Sequence, residues 1–261
     1  MVSIIIPCYN SEKTIQRTLH SVVQQIYKNY EVVIVDDGST DGTKKVIYSF
    51  LKNRDIKYEY IYQKNSGPSS ARNNGVSHAR GEYVAFLDSD DTWHRDKLSI
   101  QMTLIEEKQL NFLGATYQYD EFNYNQKLDV MLNKFNFYQL LIKTRFSTPG
   151  VVMKKDFFIE LGGFDEEMKY AEDNDLWLKA SLKADLYLII VPKLVRLHKK
   201  AYGESGLSSN MIGMYLGELY SLKKLRKQKN LKIFQYHFLV FFSTIKLFRR
   251  VFKNIFRKVL I

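Results

Sequence analysis

Acidic side chains gather at three places in this sequence, and their spacing gives the first indication of chemistry. The stretch YVAFLDSDD ends an apolar run with Asp88, Asp90 and Asp91 inside four positions. Carboxylates that close repel and raise one another's pKa, so a cation is expected among them. A hard ion such as Mg²⁺ or Mn²⁺ takes oxygen ligands and is usually held by one or two carboxylates plus substrate phosphates. Such an ion would relieve the repulsion between Asp88 and Asp90 and leave room for a pyrophosphate. The plainer alternative is a helix N-cap, which suits Asp91 or Thr92. The second group, VDDGSTDG, begins like a calcium loop, but Tyr48 stands where the bidentate glutamate should be. Thr40 or Asp41 reads there as a turn and helix cap, whereas Asp36 and Asp37 end a strand and read as binding residues. The third group, AEDND, puts Glu172, Asp173 and Asp175 in the first turn of a helix, where the macrodipole favours negative charge.

The elements that must position these acids are legible from the apolar pattern. Short β-branched or aromatic runs at 2–7, 31–37, 57–63 and 82–88 each end in polar residues, with helical segments between them. In the first of those, Ile15, Leu19, Val22 and Ile26 recur at steps of four, three and four, on one helix face. Strands alternating with helices predict an α/β fold with a mostly parallel, Rossmann-like central sheet flanked by helices. Ligands of such sheets bind beyond the carboxyl ends of the strands, so the acids of VDD and LDSDD are expected in one cleft. A dinucleotide site is excluded, because PCYNSEKT follows the first strand in place of G-x-G-x-x-G. Further on, the pattern predicts a helix over 95–109, a strand over 111–119 and a Tyr- and Asn-rich loop region. A helix near 137–144, a strand at 151–155, a helix over 172–184 and strands at 186–191 and 194–198 follow.

The net charge of +11 is concentrated at one end. Beyond residue 222 there are 12 basic residues and no acid, which leaves the preceding body at −1. In that tail Phe241, Ile245, Phe248, Phe252, Ile255 and Val259 alternate in steps of four and three, as do Lys246, Arg250, Lys253 and Arg257. The two series occupy two faces of one helix. The longest charge-free run, 233–245, is too short for a bilayer, which needs about 20 residues. A basic amphipathic helix lying in the membrane interface is therefore expected. Packing on the protein's own body, or on a second subunit in a homodimer, would use the same face. Nucleic acid is not an expected partner, since it would leave the apolar face without a use. A single cysteine, Cys8, excludes a disulfide framework and fits a reducing compartment. MVSIIIPCYN has neither a basic leader nor a long apolar segment, so a cytoplasmic protein is expected.

PCYN, VDDGSTDGT, NSGPSSARNNG, GEYVAFLDSDD, GGFDE and AEDNDLWLK occur in this order between residues 7 and 179. Together they closely resemble the family-two inverting glycosyltransferases, over roughly residues 1–200. The resemblance implies the GT-A fold, a nucleotide-sugar donor such as a UDP-sugar, Mn²⁺ or Mg²⁺, and sugar transfer with inversion. By that resemblance Pro7, Tyr9 and Glu12 line the base and ribose, Asp37 hydrogen-bonds the nucleobase and Asp36 supports it. Arg72 matches an arginine near the donor, Asp88 the acid near the ribose or donor sugar, and Asp90 the metal ligand. Asp173 matches the catalytic base, with Glu172 its neighbour. Such a base is required because an acceptor hydroxyl must lose its proton as it attacks, and desolvation can raise a carboxylate's pKa toward neutrality for that task. His198 matches a metal or phosphate ligand. Trp93 and Trp177 read as wall or packing residues, and the small polar stretch 203–209 as a lid.

The expected organisation is a transferase domain over 1–205, with a nucleotide-binding half (1–92) and an acceptor-binding half (93–205). A helical, basic extension over 206–261 follows, associated with the membrane surface. The expected activity is hexosyl or N-acetylhexosaminyl transfer to a saccharide or lipid-linked saccharide in lipopolysaccharide or other cell-surface polysaccharide synthesis, on the inner face of the cell membrane. Two rivals use the same acids: a metal-dependent nucleotide-sugar hydrolase or nucleotidyltransferase, and a non-catalytic glycan-binding subunit. The first gives the AEDND motif no clear task, and the second is disfavoured because every acid the family mechanism needs is present.

Overall fold

The first strand, β1 (Val2–Cys8), is the centre of the structure, a computed structural model. It describes residues 1–124, 129–199 and 209–259, with backbone only for 253–259. β1 pairs in parallel with β2 (Tyr30–Asp36) and β4 (Tyr83–Phe86), and β2 in parallel with β3 (Tyr58–Tyr62). The sheet continues through β9 (Val152–Lys154), β6 (Phe112–Ala115), β10 (Leu186–Val191) and β8 (Met131–Phe135), in the order β3-β2-β1-β4-β9-β6-β10-β8. β9 is antiparallel to both neighbours and β8 is an antiparallel edge; the other pairings are parallel.

Both faces of this sheet are covered, which explains why its central strands read as continuous apolar runs. Ile5, Val33 and Val35 pack into one buried cluster, and Ile4, Ile6, Val32 and Ile34 into the other. Helices α1 (Ile15–Val23), α2 (Thr43–Leu51) and α3 (Pro68–His78) connect the first four strands. Ile15, Leu19 and Val22 are buried as their spacing predicts, each contributing about 1.5–3 kcal/mol. Ile26 departs from that face. The helix ends at Val23, and Gln25 is buried instead, donating to the His94 carbonyl at 2.8 Å and accepting from the Leu98 amide at 3.0 Å.

The second half adds α4 (Lys97–Lys108), α5 (Phe137–Ile142), α6 (Lys155–Glu160) and α7 (Glu172–Lys183). The strand expected over 111–119 is broken at Thr116, whose amide and hydroxyl bond to the Ile189 carbonyl. There the chain leaves the large sheet, and β7 (Tyr117–Gln118) joins β11 (Val195–Arg196) and β5 (Thr92–Trp93) in a small second sheet. Trp93 and Trp177 are both buried, Trp93 donating to the Pro149 carbonyl at 2.7 Å. Two helices, α8 (Met211–Lys227) and α9 (Ile233–Val259), form a hairpin at the end of the chain. Among the described residues no helix is long and apolar enough to cross a membrane. The stretch 203–209, read as a lid, lies outside the described residues except for Ser209.

Candidate active site

At the end of β2 two buried carboxylates are satisfied by neutral donors. Asp36 accepts from the Ser39 amide at 2.8 Å and the Tyr60 hydroxyl at 2.6 Å. Asp37 accepts from the Gln63 side chain and from the amides of Ser66 and Gly67, each at 2.8 Å. A carboxylate has about four lone-pair sites, so Asp37 keeps one for a further donor. Asp41 is a cap: its carboxylate accepts from the Thr43 amide and hydroxyl and from the Glu12 amide. Glu12 in turn accepts from the Gly42 amide at 3.0 Å. This exchange fastens the loop after β1 to the start of α2.

The crowded acids at the end of β4 diverge to three different partners. Asp88 takes Arg72 at 2.8 Å, and Asp90 takes the Lys199 ammonium at 2.8 Å. Asp91 is buried and accepts from the His198 amide at 3.2 Å. Burial first, and then the charges of Asp88 and Asp90, push its pKa up to about 8. That shift favours the neutral acid and so eases the repulsion among the three. Backbone contacts fix the turn: Arg17 donates to the Asp90 carbonyl at 2.7 Å, and Thr18 to the carbonyls of Ser89 and Asp91.

Arg72, on α3, is the central connection. It is buried, and its second terminal nitrogen donates to Glu172 at 3.0 Å, so one guanidinium bridges the end of β4 and the start of α7. Burial alone would lower its pKa; the Asp88 and Glu172 carboxylates outweigh that and hold it above the ordinary value. Asp173 stands beside this bridge. Its carboxylate accepts from the Asn174 amide at 2.7 Å, and the Thr148 hydroxyl donates to it at 3.4 Å. Burial, followed by the neighbouring Glu172 charge, pushes its pKa up to about 7.

Pro7, Tyr9, Asp37, Arg72, Asp88, Asp90 and Asp173 line one cleft of about 1450 Å³. Glu12, Asp36 and His198 stand outside that lining, turned to the contacts just described. The His198 Nε2 lies 3.0 Å from the Thr92 hydroxyl. Burial, helped by the charges of Arg17 and Arg196, lowers its pKa to about 4, so the imidazole is neutral at pH 7 and has a lone pair to give. Among the described residues no three His, Cys, Asp or Glu side chains converge as a closed metal cage. The Asp90 carboxylate, which faces the cleft, suits a hard cation whose shell substrate phosphates complete, whereas the His198 imidazole lies outside the lining with its Nε2 at Thr92. No sequence pattern announces Lys199 at Asp90 or Thr148 at Asp173, because neither pair is close along the chain.

Residues 3–161 match the family described as glycosyl transferase family 2. The chain belongs to that family. Other members put its extent in context. An uncharacterized glycosyltransferase of Rickettsia felis is 34% identical over 70% of this chain, but that match is only 30% of the relative's length. The chain thus spans about a third of such relatives. An Escherichia coli protein named UDP-Glc:alpha-D-GlcNAc-diphosphoundecaprenol beta-1,3-glucosyltransferase WfgD is 31% identical over 80% of both chains. The putative teichuronic acid biosynthesis glycosyltransferase TuaG of Bacillus subtilis is 42% identical over 45% of this chain and 46% of its own. The GT-A fold is shared with Staphylococcus aureus TarS 1–349, solved with UDP-GlcNAc, at TM-score 0.71 and 22% identity over 97% of this chain and 72% of that one. It is shared also with the Pyrobaculum calidifontis mannosyltransferase PcManGT, solved with GDP-Man and Mn²⁺, at TM-score 0.67 and 22% identity over 87% and 64%.

Proposed function

We propose that this family 2 member is an inverting, metal-dependent glycosyltransferase. It moves a sugar from a UDP-sugar to a lipid-linked saccharide during synthesis of a cell-surface polysaccharide or lipopolysaccharide. The observation that carries the reading is the Arg72 bridge, one buried guanidinium on both Asp88 and Glu172. It keeps the donor-side acids and Asp173 at one cleft, as transfer between two substrates requires. Uridine as the base is supported by the TarS complexes, and the lipid-linked acceptor by the name of WfgD.

In this reading Pro7 and Tyr9 line the nucleoside, and the remaining lone pair of Asp37 accepts from the base. Asp36 and Glu12 hold the surrounding loops from behind. Asp88, steadied by Arg72, meets the ribose or donor sugar. Asp173 takes the proton of the acceptor hydroxyl as that oxygen forms its bond to the anomeric carbon. The bond from that carbon to the diphosphate oxygen breaks on the opposite face, which inverts the centre, and its electron pair leaves with the nucleoside diphosphate. A base with pKa near the working pH is suited to that task. Asp90 would hold Mn²⁺ or Mg²⁺, joined by His198 once its Nε2 exchanges Thr92 for the ion, and the ion supplies charge neutralisation for the departing diphosphate.

The hairpin supports a place on the inner face of the membrane. Phe234, Phe238, Phe241, Ile245, Phe248 and Phe252 form one exposed stripe of α9. Lys246 and Arg250 turn the other way and pair with Glu218 on α8. Attraction to anionic lipid therefore rests on exposed bases such as Lys223, Lys227, Lys232 and Arg249.

Calorimetry with UDP tests the donor side. Binding is expected to require Mn²⁺ or Mg²⁺, and Asp90→Asn to weaken the metal-dependent affinity by about 10–100-fold. UDP binding that ignores the metal would sink the metal-dependent reading.

A further inference from the structure

Beyond residue 206 the sequence reads as an appendage, yet α8 lays one face along the stretch 165–175 that leads into Asp173. Asn210 donates to the Tyr170 hydroxyl at 3.0 Å. Gly213 lies against the Tyr170 ring, where a Cβ would come within 2.6 Å. Gly217 lies against the Tyr170 carbonyl oxygen, where a Cβ would come within 2.2 Å. The Tyr220 hydroxyl donates to Glu167 at 3.1 Å. Lys224 bridges Asp165 at 2.6 Å and Asp175 at 2.8 Å. Positions 210, 213, 217, 220 and 224 step by three and four, so they form a single stripe of the helix.

That stripe has consequences for the charges of AEDND. Glu172 is neutralised by Arg72, and buried Asp175 by Lys224 and Lys179. Among the described residues Asp173 alone of the three makes no ion pair, so it is the carboxylate left to exchange a proton. The backbone before it is unusual too. Ala171 adopts a left-handed conformation with φ of 59°, which costs a residue bearing a Cβ about 1–2 kcal/mol and persists only where its surroundings hold it. Gly217 permits the close approach that pins the peptide just before Ala171.

We propose that α8 is a positioning element for glycosyl transfer, with Lys224 and Gly217 as positioning residues that set the 170–175 backbone and thereby aim Asp173 at the acceptor hydroxyl. This rests on the reading of Asp173 as the base. The two glycines and the lysine act through the backbone of the motif and leave the nucleotide side of the cleft alone, so their effect falls on turnover and not on donor binding.

The test uses the full chain and the nucleotide sugar and acceptor that turn over fastest in a panel. The panel includes UDP-glucose with a GlcNAc-diphospho-polyprenol in detergent. Lys224→Met is expected to lower kcat by about 10–100-fold while the calorimetric Kd for UDP stays within about twofold, and Lys224→Arg to restore most of the rate. Gly217→Ala should act in the same direction. Asn210→Ala and Tyr220→Phe, which remove one hydrogen bond each, serve if either of those fails to fold, and should lower kcat by a smaller factor. A folded Lys224→Met protein with the wild-type kcat overturns the proposal, as does a loss confined to UDP affinity. If Asp173→Asn is inactive while the α8 variants turn over normally, the positioning role falls and the base reading stands. Full transfer by Asp173→Asn would remove the base reading, and the proposal with it.

Discussion

The acids at the end of β2 and those at the end of β4 lie beside one cleft, yet they are solvated in opposite ways. Asp36 and Asp37 are surrounded by amides, a phenol and a glutamine side chain. Asp88 and Asp90 are met by an arginine and a lysine. Neutral donors cannot be traded for a cation without leaving buried amides unsatisfied, so the β2 pair is not free to take a metal ion, although Asp37 keeps a lone pair for a further neutral donor. A lysine that is half exposed, as Lys199 is, can leave its carboxylate at little cost, because a partly solvated ion pair is worth about 0–1 kcal/mol. Chemistry is therefore expected at acids whose counter-charge is removable, and at Asp173, which among the described residues makes no ion pair.

The sharpest break between the two groups should come from Asp173. Asp173→Asn is expected to lower the transfer rate by about 10²–10⁴-fold and leave UDP affinity unchanged. In the wild type, kcat/KM should rise with pH up to about 7 and then level, because only the ionised carboxylate accepts a proton. The stability sign follows from the same shift. A carboxyl whose folded pKa is raised contributes stability that is present below its unfolded value and lost as pH rises through the folded one. Asp173→Asn should therefore be more stable than the wild type at pH 8, and a thermal melt at pH 8 checks it. A flat rate profile between pH 5 and 8, on the order of the range set by such a shift, would count against the base assignment.

Arg72→Met tests the bridge itself. It would leave Glu172 in a buried setting and Asp88 in a partly buried one without their cation, a loss of about 3 kcal/mol. At about 2–4 °C per kcal/mol for a chain of this size, the melting temperature should fall by about 6–12 °C. Arg72 also lowers the Asp173 pKa, so the acid limb of the rate profile should move to higher pH. A stable variant with an unmoved profile would mean that the bridge does not join the two halves energetically.

How far these relations were legible follows from chain separation. Strand ends and their acids are local patterns, and the apolar runs before Asp36 and Asp88 are enough to put both groups at one edge of the sheet. Arg72 and Glu172 are 100 residues apart, and nothing in either neighbourhood announces the other. Lys224 on Asp175 is of the same kind, hidden in a tail whose overall charge invites a membrane reading of every base in it. Edge strand β8 was illegible for a different reason: Met131 and three of the four residues after it are largely or partly exposed, so the strand has no clean buried face to give a period. Ile26 erred the other way, since its spacing continued a face that the backbone had already left.

The smallest effect expected is also the one that tests the comparison most directly. If Asp36, held by neutral donors and outside the cleft lining, is framework, Asp36→Asn should cost stability and little else. The amide oxygen can keep the Ser39 amide, and its nitrogen can donate to the Tyr60 oxygen, so only the charge-assisted share of the two bonds is lost. That share is about 1–2 kcal/mol, which should appear as a melting temperature lower by roughly 2–8 °C. UDP affinity should remain within about twofold, because Asp37 retains its own three donors and its orientation. Thermal melts and UDP calorimetry on the same preparation decide the matter. A tenfold weaker UDP affinity with an unchanged melting temperature would place Asp36 among the ligand-binding acids, and counter-charge would then no longer separate the two ends of the cleft.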